Sequence, residues 1–272
     1  MSMKIAIFSN SGRASQNVSD ALRTRIRFEH LTLDDAHPDI VITVGGDGTL
    51  LSAFHHYSEQ LDKIRFVGIH TGHLGFYTDW RDYEVDKLVD SLAHDNGQSV
   101  SYPLLDIWVT YADGEQEKKL LALNESTLKK VTGTMMANVY IKDELFELFR
   151  GDGLCVSTPT GSTAYNKSAG GAVLSPGLDA IQISEIASIN NRVFRTLGSP
   201  LILSPDEWVR IEPVRSRENL LTCDQILVEN RAIKEVGFRI SKKRINFAQY
   251  RHTQFWRRVS ESFIGVKRND NL

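Results

Sequence analysis

Five residues, Gly45-Gly46-Asp47-Gly48-Thr49, place one carboxylate among three glycines. Glycine lacks a Cβ, so backbone there can approach a ligand closely. Successive N–H groups in such a turn form a nest for anions. The apolar run Leu50-Leu51-Ser52-Ala53-Phe54 follows and predicts a helix, whose first N–H groups have no partner of their own. Asp47 would repel a phosphate held in that nest. Its presence implies a job: holding a divalent cation, or accepting a proton from an attacking hydroxyl. A local role, capping Thr49 or Leu50, also fits the pattern. The chain contains no G-x-x-x-x-G-K-[ST]. Leu51 stands where a G-x-G-x-x-G pattern starting at Gly46 needs its third glycine.

A second stretch, from Phe149 to Gly171, holds five glycines together with several hydroxyls, Arg150, Asp152 and Tyr165. Glycine, serine and threonine alone would read as a linker. Arg150, Asp152 and Tyr165 point instead to a close-contact loop for a polar heterocycle or sugar, with Tyr165 stacking on a base. Nothing in the stretch resembles a packed core. Asn124-Glu125 follows the apolar Leu120 to Leu123. An amide there can pair with an adenine edge, and Glu125 can take ribose hydroxyls. A strand-terminal turn would use the same two residues. His70 to Phe76 is a further glycine-rich strand end, with Phe76 offering apolar contact to a ligand. His55, His56, His70 and His73 invite a zinc reading, but His-x-x-His in a loop lacks the helical i, i+4 geometry. No residue is assigned as a resident metal ligand.

The elements that must position these groups follow from the apolar pattern. Ile5 to Phe8, Ile40 to Val44 and Phe66 to Ile69 are short apolar runs suited to strands buried on both faces. Val85, Leu88, Val89 and Leu92 mark one face of a helix. This is the pattern of a parallel, helix-covered sheet. After Tyr102-Pro103 the chain alternates apolar and polar residues at Ile107, Val109 and Tyr111. Met135 to Ile141, Leu154 to Ser157, Val209 to Ile211, Val236 to Ile240 and Ile245 to Phe247 read as further strands. They predict an all-β, sandwich-like second domain, interrupted by a helix over 179–190. Phe255, Trp256, Val259 and Phe263 predict a terminal helix packed back on the first domain, with Lys267 to Leu272 frayed. The expected domains are 1–101 with tail 252–272, and 102–251.

Composition sets limits. The 272 residues are 41% hydrophobic and 24% charged, with a net charge of −2, ordinary for a globular chain and poor for a nucleic-acid partner. Lys242-Lys243-Arg244 and Arg257-Arg258 read as solvated faces or anion contacts. Two cysteines are too few for a disulfide framework and fit a cytoplasmic protein. No apolar run is long enough to span a bilayer or to serve as a signal peptide.

Taken together, these motifs resemble the NAD kinase family over most of the chain. The glycine turn alone is similar to one shared with diacylglycerol and sphingosine kinases and, more remotely, phosphofructokinases. The stretch from Gly151 to Gly171 matches the NAD kinase signature almost residue for residue. The resemblance implies an α/β first domain with a Rossmann-like parallel sheet, an all-β second domain, and a homodimer or homotetramer. It implies ATP- and Mg²⁺-dependent phosphorylation of the 2′-hydroxyl of the adenosine ribose in NAD. Asp47 would be the proton acceptor, with Gly48 beside it. Gly45, Gly46, Gly48 and Thr49 would face phosphate. Asn124 and Glu125 would bind the adenosine half. Arg150, Asp152, Thr160, Thr163, Ala164, Tyr165, Asn166, Lys167 and Ser168 would hold the dinucleotide, some of them from a neighbouring subunit. Ala187 and Gln225 would also line the site. Ala172 replaces a frequent proline, and His70-Thr71 replaces a commoner Asn. Two alternatives share the motifs: a catalytically silent dinucleotide sensor, and a lipid kinase with an apolar acceptor groove.

Overall fold

The computed structural model describes residues 2–29, 31–72, 74–115, 118–214, 218–228, 231–252 and 255–265. The chain divides into two compact units, Met1–Ser101 with Ile245–Leu272, and Tyr102–Arg244. The sequence reading placed the return to the first unit at residue 252; the division falls at Ile245, inside a strand.

The first unit is built on parallel strands. Thr32–Leu33, Lys4–Ser9, Ile40–Gly45 and Arg65–His70 lie side by side in that order. Phe247, near the end of strand Ile233–Ala248, pairs with Phe66, and Trp80–Arg81 pairs with Ile69 and His70. All six residues of Ile40–Gly45 are buried, as a strand covered on both faces requires. Helices Arg13–Phe28, Asp47–His56 and Val85–Ala93 cover the sheet. Val18, Leu22 and Ile26 on the first, and Leu88, Val89 and Leu92 on the third, enter the core with Ile5, Ile42 and Val67. From Lys4–Ser9 the chain first crosses to Thr32–Leu33 on one side and then to Ile40–Gly45 on the other. The order of winding therefore reverses between Lys4–Ser9 and Ile40–Gly45. A crevice opens beyond the carboxyl ends of strands at such a reversal, and ligands of open α/β sheets bind there. Gly46 and Asp47 sit at that point.

The second unit is antiparallel. One sheet orders Leu201–Leu203, Ile181–Ile186, Gly153–Ser157, Glu125–Lys130, Asn219–Cys223 and Ile226–Leu227. Another contains Glu144–Gly151, Met135–Ile141, Trp208–Pro213 and the first part of Ile233–Ala248, with Ser99–Tyr111 and Lys118–Ala122. Leu128, Leu154, Val156, Ile181, Ile183 and Leu221 from the first sheet meet Ile107, Val139, Phe149, Val209 and Phe238 from the second in one core. That is the expected sandwich.

One local expectation fails and two hold in altered form. Segment 179–190 holds strand Ile181–Ile186, not a helix. Ile181 and Ile183 face the core, while Gln182 and Ser184 are buried on the opposite face, which is the strand's period of two; the i, i+3 recurrence of Ile183, Ile186 and Ile189 mimics a helix over the longer window. Val236 to Ile240 and Ile245 to Phe247 are parts of one strand, Ile233–Ala248. The tail packs back on the first unit as expected, through a short α-helix, Phe255–Val259, followed by a π-helical turn, Ser260–Ile264, but Trp256 is 58% exposed instead of packed. His73 and Lys267 to Leu272 lie outside the described residues. Among the described residues no helix is long and apolar enough to cross a membrane.

Ile42 is fully buried in the central parallel strand. Ile42→Ala should lower unfolding free energy by about 2–5 kcal/mol, read as a reduced urea midpoint with an unchanged slope.

Candidate active site

The first unit supplies the carboxylate. Gly46 is the N-cap of helix Asp47–His56, and Asp47 is its first residue. The first intrahelical donor is Thr49 N–H, which reaches the Gly46 carbonyl at 2.9 Å. The amides before it point out of the helix end, and Gly46 and Gly48 are exposed. Asp47 does not cap its own turn. Its carboxylate reaches the next strand's loop, where Oδ2 accepts Phe76 N–H at 2.8 Å and Oδ1 accepts Tyr77 N–H at 3.0 Å. Hydrogen bonds to a charged acceptor are worth about 1.5–3 kcal/mol each, against roughly 1 for one side-chain cap. The two-amide grip therefore wins. Gly75 makes it possible, because a Cβ there would fall 2.2 Å from Asp47 Oδ1.

The Phe76 loop is held in turn by the tail. The Phe76 ring stacks on Phe263 at 5.7 Å and meets Phe255 at 6.0 Å. Arg258 is buried; its guanidinium donates to the Phe76 carbonyl and ion-pairs with Asp79. Asp79 Oδ2 lies 2.8 Å from His252 Nδ1. Burial pushes the His252 pKa down to about 3, opposed by the Asp47 charge, so this contact is a hydrogen bond from a neutral ring and not an ion pair. His252 stacks flat on Phe247 at 4.1 Å. Phe76 thus packs against the tail instead of offering its ring to a ligand. Arg258 is no solvated face, while Arg257 is partly exposed and paired with Glu261 at 2.7 Å. Arg258 lies three residues after Phe255, on the stripe side of the helix. That spacing was the signal in the sequence.

The second unit supplies a polar surface. Along Glu125–Lys130, Gly153–Ser157 and Ile181–Ile186 the apolar side chains face the core, and Glu125, Thr127, Lys129, Cys155, Ser157, Gln182 and Ser184 face the other way. The segment Thr160–Ser168 lies on that face. Ser184 Oγ donates to Asn166 Oδ1 at 2.7 Å, and Gln182 bonds both polar groups of the Ala172 backbone, at 2.7 and 3.0 Å. Thr160, Gly161, Ser162, Thr163 and Asn166 are buried, so the loop is packed, contrary to expectation. Gly161 approaches so closely that a Cβ would lie 2.0 Å from the Asn124 carbonyl oxygen. Ala164 is half-buried, and Tyr165, Lys167 and Ser168 are exposed. Lys129 Nζ sits 4.6 Å from the Tyr165 ring centroid, a cation–π contact that covers one face of the ring.

Asn124 and Glu125 are fixed from both sides. The Asp224 carboxylate, on a residue at φ +50°, accepts the N–H groups of Leu123, Asn124 and Glu125 at 3.0, 2.7 and 3.3 Å. Thr158 Oγ1 donates to the Leu123 carbonyl at 2.6 Å. Gln225 follows Asp224 and is exposed. Burial pushes the Glu125 pKa up to about 8, helped by the Asp224 charge and opposed by the Tyr165 amide and Lys129. One of its oxygens, Oε2, is buried without a partner. Glu125 is paired with Ser157, and four residues along the same two strands Lys129 is paired with Gly153. Asp152 and Ala187 lie beyond that second end, where Asp152 N–H bonds the Ile186 carbonyl at 2.9 Å. The two ends are roughly 13 Å apart at ordinary strand rise. Arg150 is on the same side as Asp152, with its guanidinium 3.5 Å from the Phe194 ring centroid. The sequence-selected residues of this unit therefore form two groups: Asn124, Glu125, Thr160 to Ser168 and Gln225, and separately Arg150, Asp152 and Ala187.

The ATP-NAD kinase N-terminal domain matches residues 3–96, and the ATP-NAD kinase C-terminal domain matches residues 123–250. An NAD kinase of Levilactobacillus brevis is 68% identical over 263 residues, covering 97% of this chain and 98% of its own. One from Lacticaseibacillus paracasei is 58% identical over 265 residues, covering 97% of this chain and all of its own. Yeast NADH kinase complexed with NADH shares the fold at a TM-score of 0.84 and 19% identity, over 100% of this chain and 89% of its own. An NAD kinase from Archaeoglobus fulgidus in complex with ATP does so at 0.76 and 20% identity, over 97% of this chain and 100% of its own. Parallel sheet, carboxylate turn and β-sandwich are those of a nucleotide-dependent phosphotransferase. The chain belongs to the NAD kinase family.

Glu125 binds its proton more tightly folded, at about 8, than unfolded, near 4.5. Between these values the folded chain holds more protons, so stability falls as pH rises. The melting temperature should drop between about pH 5 and about pH 8, and Glu125→Gln should flatten that slope.

Proposed function

We propose that this chain transfers the γ-phosphoryl group of ATP to the 2′-hydroxyl of the adenosine ribose of NAD, giving NADP. The observation that carries this reading is the Asp47 carboxylate, aimed by the Phe76 and Tyr77 amides at the reversal of the parallel sheet, beside an open helix end. Asp47 orients the hydroxyl and takes its proton. A carboxylate is a weak base for an alcohol, but phosphoryl transfer is loose and needs little proton removal until late. Positioning and charge neutralisation then supply most of the acceleration. The exposed amides of Gly46 and Gly48 hold phosphate oxygens, with buried Gly45 and Thr49 shaping the turn that presents them. The turn offers one carboxylate and no second acid, a donor set that fits Mg²⁺ arriving already bound to ATP phosphates. When bound, that cation would neutralise phosphate charge.

Asn124, Glu125, Thr160, Thr163, Ala164, Tyr165, Asn166, Lys167, Ser168 and Gln225 recognise the dinucleotide, with the uncovered face of Tyr165 stacking on a base. Asn166 acts by holding the loop, since its own side chain is fully buried against Ser184. Arg150, Asp152 and Ala187, at the far end of the sheet, serve the site of a second copy in a homodimer or homotetramer. Both cysteines are buried thiols that form no disulfide, which suits a cytoplasmic setting.

Incubation with NAD, ATP and Mg²⁺ should yield NADP. Asp47→Asn should cut turnover ~10²- to 10⁴-fold while NAD binding, followed by calorimetry, persists. Near-normal turnover in that variant rejects Asp47 as the base. NAD binding without NADP formation in the native protein would favour a silent sensor, and phosphorylation of a lipid alcohol alone would favour the lipid kinase.

A further inference from the structure

The buried chain His252, Asp79, Arg258 ends on one peptide group. Arg258 donates to the carbonyl oxygen of Phe76. The N–H of that same peptide unit belongs to Tyr77 and bonds Asp47 Oδ1 at 3.0 Å. A cation on the oxygen of a peptide fixes its plane and polarises its N–H, strengthening the bond that the N–H donates. The other amide holding Asp47, that of Phe76, belongs to a residue whose ring is clamped between Phe255 and Phe263. Each part of the clamp is seated in turn. Asp79 N–H bonds the Gly68 carbonyl at 3.0 Å, which ties it to strand Arg65–His70. His252, stacked on Phe247, fills the remaining oxygen of Asp79. Asp79, His252 and Arg258 are all buried.

We infer that Arg258 is a positioning residue for the phosphoryl-transfer reaction, acting through the Phe76–Tyr77 peptide to hold the Asp47 carboxylate in its working orientation. Asp79 and His252 seat the guanidinium. The tail thus belongs to the catalytic machinery of the first unit without touching substrate. The inference rests on the reading of Asp47 as the base.

Arg258→Met keeps the length of the side chain and removes the fork. With NAD, ATP and Mg²⁺, it should lower kcat at least ~10-fold while KM for NAD changes less than about threefold, because a misplaced base affects the chemical step. In an Asp47→Asn background the same substitution should cost almost nothing further, since no carboxylate remains to be positioned. A purely structural arginine would lower both backgrounds equally. Arg258→Lys keeps a cation but cannot grip Asp79 and the carbonyl together, and should fall between the two. Thermal unfolding of each variant reads the fold separately. The inference is overturned if Arg258→Met retains kcat within twofold, or loses the same factor with and without Asp47. Should Arg258→Met fail to fold, Arg258→Lys decides: a wild-type kcat there overturns it. If Asp47→Asn itself turns over normally, the reading of Asp47 falls first, and that outcome is distinct from a dead Asp47→Asn with a fully active Arg258→Met.

Discussion

A carboxylate at the first position of a helix has two places to go. It can bond the amides of its own first turn, or it can leave the helix and bond something else. Asp47 leaves, and takes both the Phe76 and Tyr77 N–H groups. Much of the first unit is arranged around that choice. Ile40–Gly45 delivers the residue to the point where the sheet reverses its winding. Gly75 keeps the path open. The tail comes back from the end of the chain to brace the loop that supplies the amides. With one carboxylate oxygen on each amide, the group cannot rotate, yet each oxygen keeps a lone pair for a further donor.

The second unit follows a different logic. Its six-stranded sheet puts apolar residues on one face and hydroxyls, amides and Glu125 on the other. Buried polar groups must be satisfied, and here the partner is a glycine-rich loop. The loop meets Ser184 with the Asn166 side chain and Gln182 with the Ala172 backbone, packs Gly161 against Asn124, and presents only a few groups outward. A rigid floor under a permissive sequence is what a dinucleotide site needs, because ordering a loose loop at the moment of binding would cost affinity. The unpartnered Oε2 of Glu125 marks the place on that floor where a further hydrogen bond remains to be made.

Most of this could be read from the chain. The parallel strands were legible because residues buried on both faces leave continuous apolar runs, as in Ile40 to Val44. The sandwich strands were legible where one face is apolar, as in Ile107, Val109 and Tyr111. Strand Ile181–Ile186 was not, because its short alternation sits inside an i, i+3 recurrence of Ile183, Ile186 and Ile189 that has the spacing of a helix. The loop from Thr158 to Ser168 was recognised as chemistry but misjudged as unpacked, since its packing partners are polar and distant in sequence. Gly75, Asp79 and His252 carry no local mark, and Arg258, although spaced onto the Phe255 stripe, reads as a solvated face because its partner Asp79 lies well over a hundred residues away.

By itself, the sequence placed a phosphate nest and an acid at one strand end and a loop for a polar heterocycle or sugar elsewhere, because glycine spacing, a lone acid and a hydroxyl-rich loop are local patterns with local physical meanings; the acceptor followed from the resemblance of Gly151 to Gly171 to the NAD kinase signature. Which residues of that loop face outward, which face of Tyr165 is left open, and how the Asp47 carboxylate is aimed were decided only by tertiary structure. The physical reason is that a hydrogen bond depends on the position of two partners, and the partners of Asp47 are brought to it by the sheet and the returning tail, not by its neighbours in the chain.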